Sequence, residues 1–188
     1  MYQITVNGMK YEREQDKKLL DFLRYDLGIT SAKDGCSEGA CGTCTVLVDG
    51  KKVKACIFTL SKLDGKSVIT VEGLSEREKE VYAYAFGDTG AVQCGFCIPG
   101  MVISAKSLLD TNLNPTRAEV KKAIMGNICR CTGYAKIEEA ILLSAKMFRE
   151  DLPIPENTST GKMGEHLGRV DAREKVLATG EFVDDITV

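Results

Sequence analysis

Apolar and polar residues alternate along the first part of the chain with the period of two that β-strands require. The alternation predicts five strands, over residues 2–6, 9–13, 45–48, 52–56 and 68–71. Asn7-Gly8 lies between the first two strands and Asp49-Gly50 between the third and fourth, and both dipeptides are typical of two-residue hairpin turns. The sequence therefore predicts two β-hairpins and one further strand.

One helix is predicted between the two hairpins. Asp16 can cap it, apolar residues from Leu19 to Leu27 supply its buried face, and Gly28 can end it. A glycine-rich loop follows from Lys33 to Thr43. This order of elements is that of a β-grasp domain, which we expect over residues 1–74.

After residue 74 the apolar period changes to 3.6, which indicates helices. Apolar residues at helical spacing mark two of them, over about 99–109 and 137–148. Capping-box sequences open two more, Ser75 with Glu78 and Thr116 with Glu119. We expect an all-α four-helix bundle domain over residues 75–151, so the chain as a whole falls in the α+β class.

The composition changes again after residue 151. Residues 153–161 contain the Pro, Asn, Thr, Ser and Gly of a linker, and residues 163–188 have too few apolar groups for a core of their own. We expect an extended C-terminal tail over 152–188, which is a flexible tail or the start of a further domain. The chain's one histidine, His166, lies in it.

Composition, charge and the lack of a long apolar span argue against two classes of function. The 188 residues are 44% hydrophobic with no Trp, and the net charge is −2 without a basic block. Nucleic-acid binding therefore has no support. The chain shows no signal peptide and no long apolar span, so we expect a cytoplasmic protein without membrane contact.

All eight cysteines fall into two sets of four. The first set has the spacing C-x4-C-x2-C, eleven residues, then C; the second has C-x2-C, thirty-one residues, then C-x-C. The first quartet is Cys36, Cys41, Cys44 and Cys56, and the second is Cys94, Cys97, Cys129 and Cys131. Disulfides are the other use of so many thiols, but they belong to secreted proteins.

The first quartet has the spacing of a plant-type [2Fe–2S] ferredoxin. Gly35, Gly39 and Gly42 can adopt positive φ angles, so the loop can curl around a cluster while backbone N–H groups point at sulfur. Ala40 and Thr43 keep the neighbouring side chains small. Zinc is a weaker alternative, because zinc sites usually consist of paired C-x2-4-C knuckles without a glycine-lined gap.

The second quartet is less specific, and its spacing alone also permits zinc. Cys94 and Cys97 precede one predicted helix, and Cys129 and Cys131 precede another, so helix N-termini would favour the thiolates. A second [2Fe–2S] cluster beside the first would make an electron relay. A Rieske centre is excluded, because it needs two histidines.

Three blocks of the sequence match a known family. They are GCSEGACGTCTVLVDG over 35–50, QCGFCIPGM over 93–101 and GNICRCTGY over 126–134. With both quartets they make residues 2–150 resemble the two-cluster iron–sulfur subunit, or N-terminal iron–sulfur region, of the molybdenum hydroxylases. That family includes xanthine dehydrogenase and oxidase, aldehyde oxidoreductase, aerobic carbon monoxide dehydrogenase and nicotinate dehydrogenase.

The resemblance implies specific cofactor contacts. The β-grasp domain would hold the cluster distal to molybdenum and the helical domain the proximal one. Gln93 would hydrogen-bond molybdopterin, and Cys131 would lie against the pterin amino group. On the residues alone, Gln93 would be interpreted as a surface polar residue.

The tail has a weaker resemblance of its own. The segments 168–172, 175–176, 179–182 and 184–186 resemble the opening of the molybdenum-binding subunit, with two residues inserted after Val176. If this alignment holds, the sequence reaches just into the next domain or completes a partner.

The resemblance predicts an oxidoreductase component that passes electrons from molybdenum through two [2Fe–2S] clusters to FAD or another acceptor. It implies a molybdenum-binding partner, an FAD-binding subunit and a dimer of heteromers. Xanthine or another purine is the leading substrate, and aldehyde, nicotinate and carbon monoxide stay open. A free-standing two-cluster ferredoxin and a zinc-binding interaction module are the alternative functions.

Overall fold

The computed structural model of the protein describes residues 1–156, 160–165 and 167–186. Its sheet has five strands in the order β2-β1-β5-β3-β4, and only β1 and β5 run parallel to each other. The strands are β1 (Tyr2–Val6), β2 (Met9–Arg13), β3 (Thr45–Val48), β4 (Lys51–Lys54) and β5 (Ser67–Ile69). All five predicted strands are present, but the fourth ends before Cys56.

The first helix starts later than predicted. Helix α1 (Leu19–Asp21) continues as a π-helical turn, Phe22–Asp26, and its first residue has no side-chain cap. Asp16 was predicted to be this cap, and that prediction is wrong. Its carboxylate instead accepts hydrogen bonds from the backbone N–H and hydroxyl of Ser61, so it connects the start of the helix to the 3-10 turn Leu60–Leu63.

Four helices follow where the 3.6-residue period predicts them. They are α2 (Glu76–Asp88), α3 (Ile98–Leu109), α4 (Arg117–Ile124) and α5 (Ala135–Arg149). Both capping boxes form: the Ser75 and Thr116 side chains accept from N–H groups in the first turn, and Glu78 and Glu119 reach back. The architecture is thus mixed α+β, with one sheet and several helices.

Two hydrophobic cores meet at strand β3. Val46 and Val48 join α1 and the other strands in one core, whereas Leu47 belongs to the core formed by the later helices. Because successive side chains of a strand point to opposite faces, β3 is buried on both sides. The strand therefore joins the two halves of the protein.

The tail is not extended throughout, contrary to the prediction. Residues 172–177 form helix α6 (Ala172–Leu177), which ends at Ala178 in the left-handed conformation. Three of its side chains, Ala172, Val176 and Leu177, are buried. These residues have no core of their own, as the composition indicated, and fold because α2 and α3 cover them.

Residues 157–159 of the predicted linker and His166 lie outside the described residues. Across the described part of the chain, no helix combines the length and the apolar character that crossing a bilayer requires.

Candidate iron–sulfur sites and electron relay

The first cysteine loop curls around its own thiols. Gly39 and Gly42 adopt positive φ angles of 79° and 74°, as predicted. The backbone N–H of Cys41 points at the sulfur of Cys36, with 3.4 Å between the nitrogen and Sγ. Hydrogen bonds from the backbone N–H groups of Cys41 and Glu38 lower the pKa of Cys36 to about 7. The loop therefore favours the thiolate form, which is the form that binds metal.

Gly35 serves this loop in a different way from the one predicted. It is not among the residues with positive φ. A Cβ at this position would lie 2.9 Å from Thr43 Oγ1 and 3.0 Å from Cys41 Sγ. Glycine is thus required there for space beside the sulfur, not for backbone conformation.

The other two thiols of the first quartet are buried. Cys44 begins the approach to β3, and Cys56 lies in a 3-10 turn directly after β4, where its neighbour Ala55 donates its N–H to the Cys44 carbonyl at 3.1 Å. Burial raises the pKa of Cys44 to about 12. A free thiol is stable in this apolar setting, and a bound cation would be needed to hold it as thiolate.

The second quartet lies where α3 and α5 begin. Cys97 directly precedes α3, and Cys131 lies four residues before the first residue of α5. The helix N-terminus does not control the pKa of the Cys97 thiol, because burial raises that pKa. At Cys129 burial acts in the same direction, but hydrogen bonds from the Thr132 hydroxyl and nearby backbone outweigh it and lower the pKa.

Each quartet divides into two pairs of thiols, and this arrangement fits a two-iron cluster. A [2Fe–2S] cluster takes two thiolates on each iron. No three Cys, His, Asp or Glu side chains in the described ranges surround one point closely enough to hold a single ion. The contacting pairs are Cys36 with Cys41, Cys44 with Cys56, Cys97 with Cys129, and Cys94 with Cys131, whose sulfurs are 3.6 Å apart.

The two cysteine loops are in direct contact with each other. The backbone N–H of Ile128 donates to the carbonyl of Cys41 at 2.8 Å. Ile128 is covalently joined to Cys129, so one hydrogen bond connects a thiol-bearing residue of the first quartet to one of the second. This contact gives a short path of bonds between the two sites.

Asn127 holds this junction together. It is buried, donates from Nδ2 to the Gly42 carbonyl at 2.9 Å and to the Thr45 hydroxyl at 3.2 Å, and accepts from the Ser104 hydroxyl at 2.7 Å. The sequence pattern did not single out Asn127 as a functional residue. Its position inside the block GNICRC was the signal that could have drawn attention to it.

Gln93 and Cys131 lie next to each other at the surface. The Gln93 side chain donates from Nε2 to the Cys131 carbonyl at 3.1 Å, and both residues are exposed. The structure thus brings together the two residues that the resemblance linked to the pterin. The pterin contact itself stays a prediction.

Comparisons with known proteins give the same assignment for both halves. Residues 5–81 match the family model described as a 2Fe-2S iron-sulfur cluster binding domain, and residues 70–142 match the model of a [2Fe-2S] binding domain. The chain is 50% identical over 148 residues to the nicotinate dehydrogenase small FeS subunit of Eubacterium barkeri, covering 75% of this chain and 94% of that protein. It is 37% identical over 145 residues to the xanthine dehydrogenase iron-sulfur-binding subunit of Escherichia coli, covering 74% and 91%.

A solved structure extends the likeness over the tail. The crystal structure of the aldehyde oxidoreductase from Desulfovibrio desulfuricans matches with a TM-score of 0.89 and 38% identity. The match covers 98% of this chain and 22% of that one, so this chain spans about a fifth of the enzyme's length. The chain belongs to the family of the [2Fe–2S] iron–sulfur subunits and domains of the molybdenum hydroxylases, as an electron-transfer part of an oxidoreductase.

Proposed function

We propose that this chain carries electrons between a molybdopterin site and an acceptor. The first [2Fe–2S] cluster binds to Cys36, Cys41, Cys44 and Cys56, and the second to Cys94, Cys97, Cys129 and Cys131. When bound, each cluster accepts and releases one electron at a time. The observation that carries this proposal is the Ile128–Cys41 hydrogen bond, because it joins the two cysteine loops directly.

The chain's own residues set the geometry of this relay. Asn127 and the Gly42 backbone keep the two loops in contact, and the N–H of Cys41 stabilises negative charge on the Cys36 sulfur. The β-grasp domain of residues 1–74 and the helical domain of residues 75–151 would each hold one cluster. Burial of Cys44, Cys56 and Cys97 keeps water from part of each site.

The exposed pair Gln93 and Cys131 supports a direction for the relay. Because these residues are adjacent at the surface, a partner can reach the second quartet there. We place molybdopterin of a partner subunit or domain at this point, so the second cluster receives electrons first. The first cluster then passes them to FAD on another subunit or to a protein acceptor.

The substrate belongs to the molybdenum partner, and we propose a nitrogen heteroaromatic compound. Xanthine, the sequence-based prediction, is one such compound, and nicotinate appears in the name of the relative that is 50% identical. An aldehyde is the second candidate, supported by the structural likeness to an aldehyde oxidoreductase. Turnover of xanthine, nicotinate and benzaldehyde by the purified holoenzyme distinguishes them. The cytoplasmic location and the dimer of heteromers stay predictions.

Metal analysis and spectroscopy test the relay. Anaerobically reconstituted protein should contain about four irons and about four inorganic sulfides per chain. Dithionite reduction should give two distinct [2Fe–2S] signals in electron paramagnetic resonance. Stoichiometric zinc, or a single signal, would contradict the proposal, and purification as a solitary monomer without a molybdenum protein would favour a free-standing ferredoxin.

A further inference from the structure

The segment from Arg169 to Asp185, here called the strap, crosses both halves of the protein. At its start Arg169 donates to the Val92 carbonyl at 3.2 Å, and Lys175 donates to the Gln93 carbonyl at 3.3 Å. These two carbonyls lie directly before Cys94. The first half of the strap therefore lies over the second cysteine loop.

The far end of the strap is anchored in the other half. The Asp185 carboxylate, 4% exposed, lies 2.8 Å from Lys33 Nζ and 3.1 Å from an Arg24 nitrogen. Both cations are themselves buried, with side-chain exposures of 0% and 3%. An ionic contact spanning 152 positions of sequence thus joins the strap to the N-terminal half.

Lys33 depends on this contact. Among the described residues, Asp185 supplies the one carboxylate within ion-pair distance of Lys33, and the other polar contact of its amine is the Thr30 carbonyl at 3.1 Å. A fully buried ammonium without a counter-charge is strongly unfavourable. The buried Lys33 amine would therefore lose its counter-charge if the Asp185 carboxylate were neutralised with the strap still in place.

The same anchor touches both cysteine loops. Lys33 lies at the base of the first loop, where its carbonyl accepts from the Thr43 hydroxyl at 3.0 Å. Phe96 lies between Cys94 and Cys97 and packs edge-to-face on Phe182 of the strap, with ring centroids 5.4 Å apart. The Lys33 amine is 4.6 Å from the centre of the Phe182 ring. One cluster of side chains thus connects the base of one loop with the second loop.

We infer that the strap is a positioning element of the electron relay. Asp185 and Phe182 hold the Cys94–Cys97 loop at a fixed place relative to the first cysteine loop. Lys33 is the ion-pair partner of Asp185 in the N-terminal half. This inference rests on the proposed function, since it concerns the separation of the two clusters. Asp185, Lys33 and Phe182 act through the loops and touch neither cluster site as ligands.

The test compares Asp185→Asn with Glu181→Gln in the full, anaerobically reconstituted chain. Both variants remove one carboxylate charge from the strap, but Glu181 is exposed. The readouts are iron content, the magnetic coupling between the two reduced clusters, and hydrogen exchange at the amides of 95–98. We expect Asp185→Asn to retain both cluster signals, to lose the resolved inter-cluster splitting and to exchange faster at 95–98, while Glu181→Gln matches the native protein.

Two further variants keep the test decisive if Asp185→Asn folds poorly. Phe182→Leu retains all charges and removes the ring contacts with Phe96 and with the Lys33 amine, so it should also lose the resolved splitting. The double variant Lys33→Met with Asp185→Leu replaces the buried Lys33–Asp185 pair by apolar side chains of similar size, while Arg24 keeps Asp184 as a counter-charge at 3.0 Å. This double variant should restore the splitting. If Asp185→Asn and Phe182→Leu both keep a native splitting, the positioning role is refuted. Absence of the two cluster signals in the native protein itself would instead refute the proposed function.

Discussion

At the scale of single residues, Gly42 decides how closely the two cysteine loops can approach. A Cβ at this position would lie 2.2 Å from the Gly126 carbonyl oxygen and 3.0 Å from the Cα of Asn127. Both of these are backbone atoms and cannot rotate away. The hydrogen bond between Ile128 and Cys41 lies beside this contact, so the methyl group of an alanine would push the loops apart.

We therefore expect Gly42→Ala to destabilise the protein by about 2–5 kcal/mol, the sum of a left-handed conformation and an overpacked contact. It should also weaken the magnetic coupling between the clusters. Gly50→Ala is the matched control: its φ is 77°, but nothing lies within 4 Å of its added Cβ, so it should cost only about 1–2 kcal/mol. Thermal and denaturant unfolding measure both, and equal losses would show that the close approach is unimportant.

Asn127 connects the same two loops, and replacing one atom of its side chain should lower the stability of the protein. Replacing it by aspartate puts an oxygen where Nδ2 now donates to the Gly42 carbonyl and the Thr45 hydroxyl. Since the site is buried, we expect a loss of about 3 kcal/mol or more in the free energy of unfolding. Asn114→Asp is the control, because that side chain is exposed and its oxygen already accepts from Arg149. Similar denaturant midpoints for the two variants would contradict the role given to Asn127.

At the scale of elements, α6 brings positive charge to the second cysteine loop. Lys175 donates to the Gln93 carbonyl, and its side chain would be only 2.8 Å from a Cβ built on Gly95. Lys175 also pairs with Asp171 at 2.8 Å, and Arg173 on the same short helix pairs with Glu80 at 2.9 Å. The two residues thus differ in their surroundings although they carry the same charge.

We expect Lys175→Met to lower the reduction potential of the second cluster by on the order of 10–50 mV. The reduced cluster carries one more negative charge, so a nearby cation stabilises it and raises the potential. Arg173→Met should leave the potential nearly unchanged, and neither variant should move the first cluster. A redox titration followed by the two paramagnetic signals measures this, and equal shifts in the two variants would rule out a local effect of Lys175.

Elements whose signals are local could be predicted from the sequence, and those that depend on distant contacts could not. The capping boxes at Ser75 and Thr116 form because both partners lie within one turn. Asp16 had the right residue type for a cap, but a tertiary contact with Ser61 uses its carboxylate. Helix α6 was not predicted, because it has few apolar residues and these are buried only by packing on the core formed by α2 and α3.

At the scale of the whole molecule, the cysteine spacings indicated two cluster sites but not how they meet. The hydrogen bond between Ile128 and Cys41 joins two backbone groups, for which the sequence has no signal. The pairing of Lys33 with Asp185 could not be predicted either, since a lysine in a polar loop is ordinarily solvated. Both contacts link the halves of the chain, and both lie at the sites where the relay is proposed.

The division into two cluster-binding units predicts that each cluster can be lost without the other. Cys41→Ser should reduce the iron content from about four to about two per chain and abolish one paramagnetic signal. Cys131→Ser should abolish the other signal at a similar iron loss. The reason is that no thiol of one quartet contacts a thiol of the other among the contacts found in the described residues.

The two variants serve as controls for each other, and the holoenzyme adds a functional readout. With Cys41→Ser, substrate should still reduce the molybdenum site while transfer to the acceptor stops, because the first cluster lies beyond the second in the proposed order. With Cys131→Ser, the surface beside Gln93 changes, so reduction of the remaining cluster by substrate should fail. If both variants lose the same signal, the four ligands of each site have been assigned wrongly and the relay cannot have the proposed order.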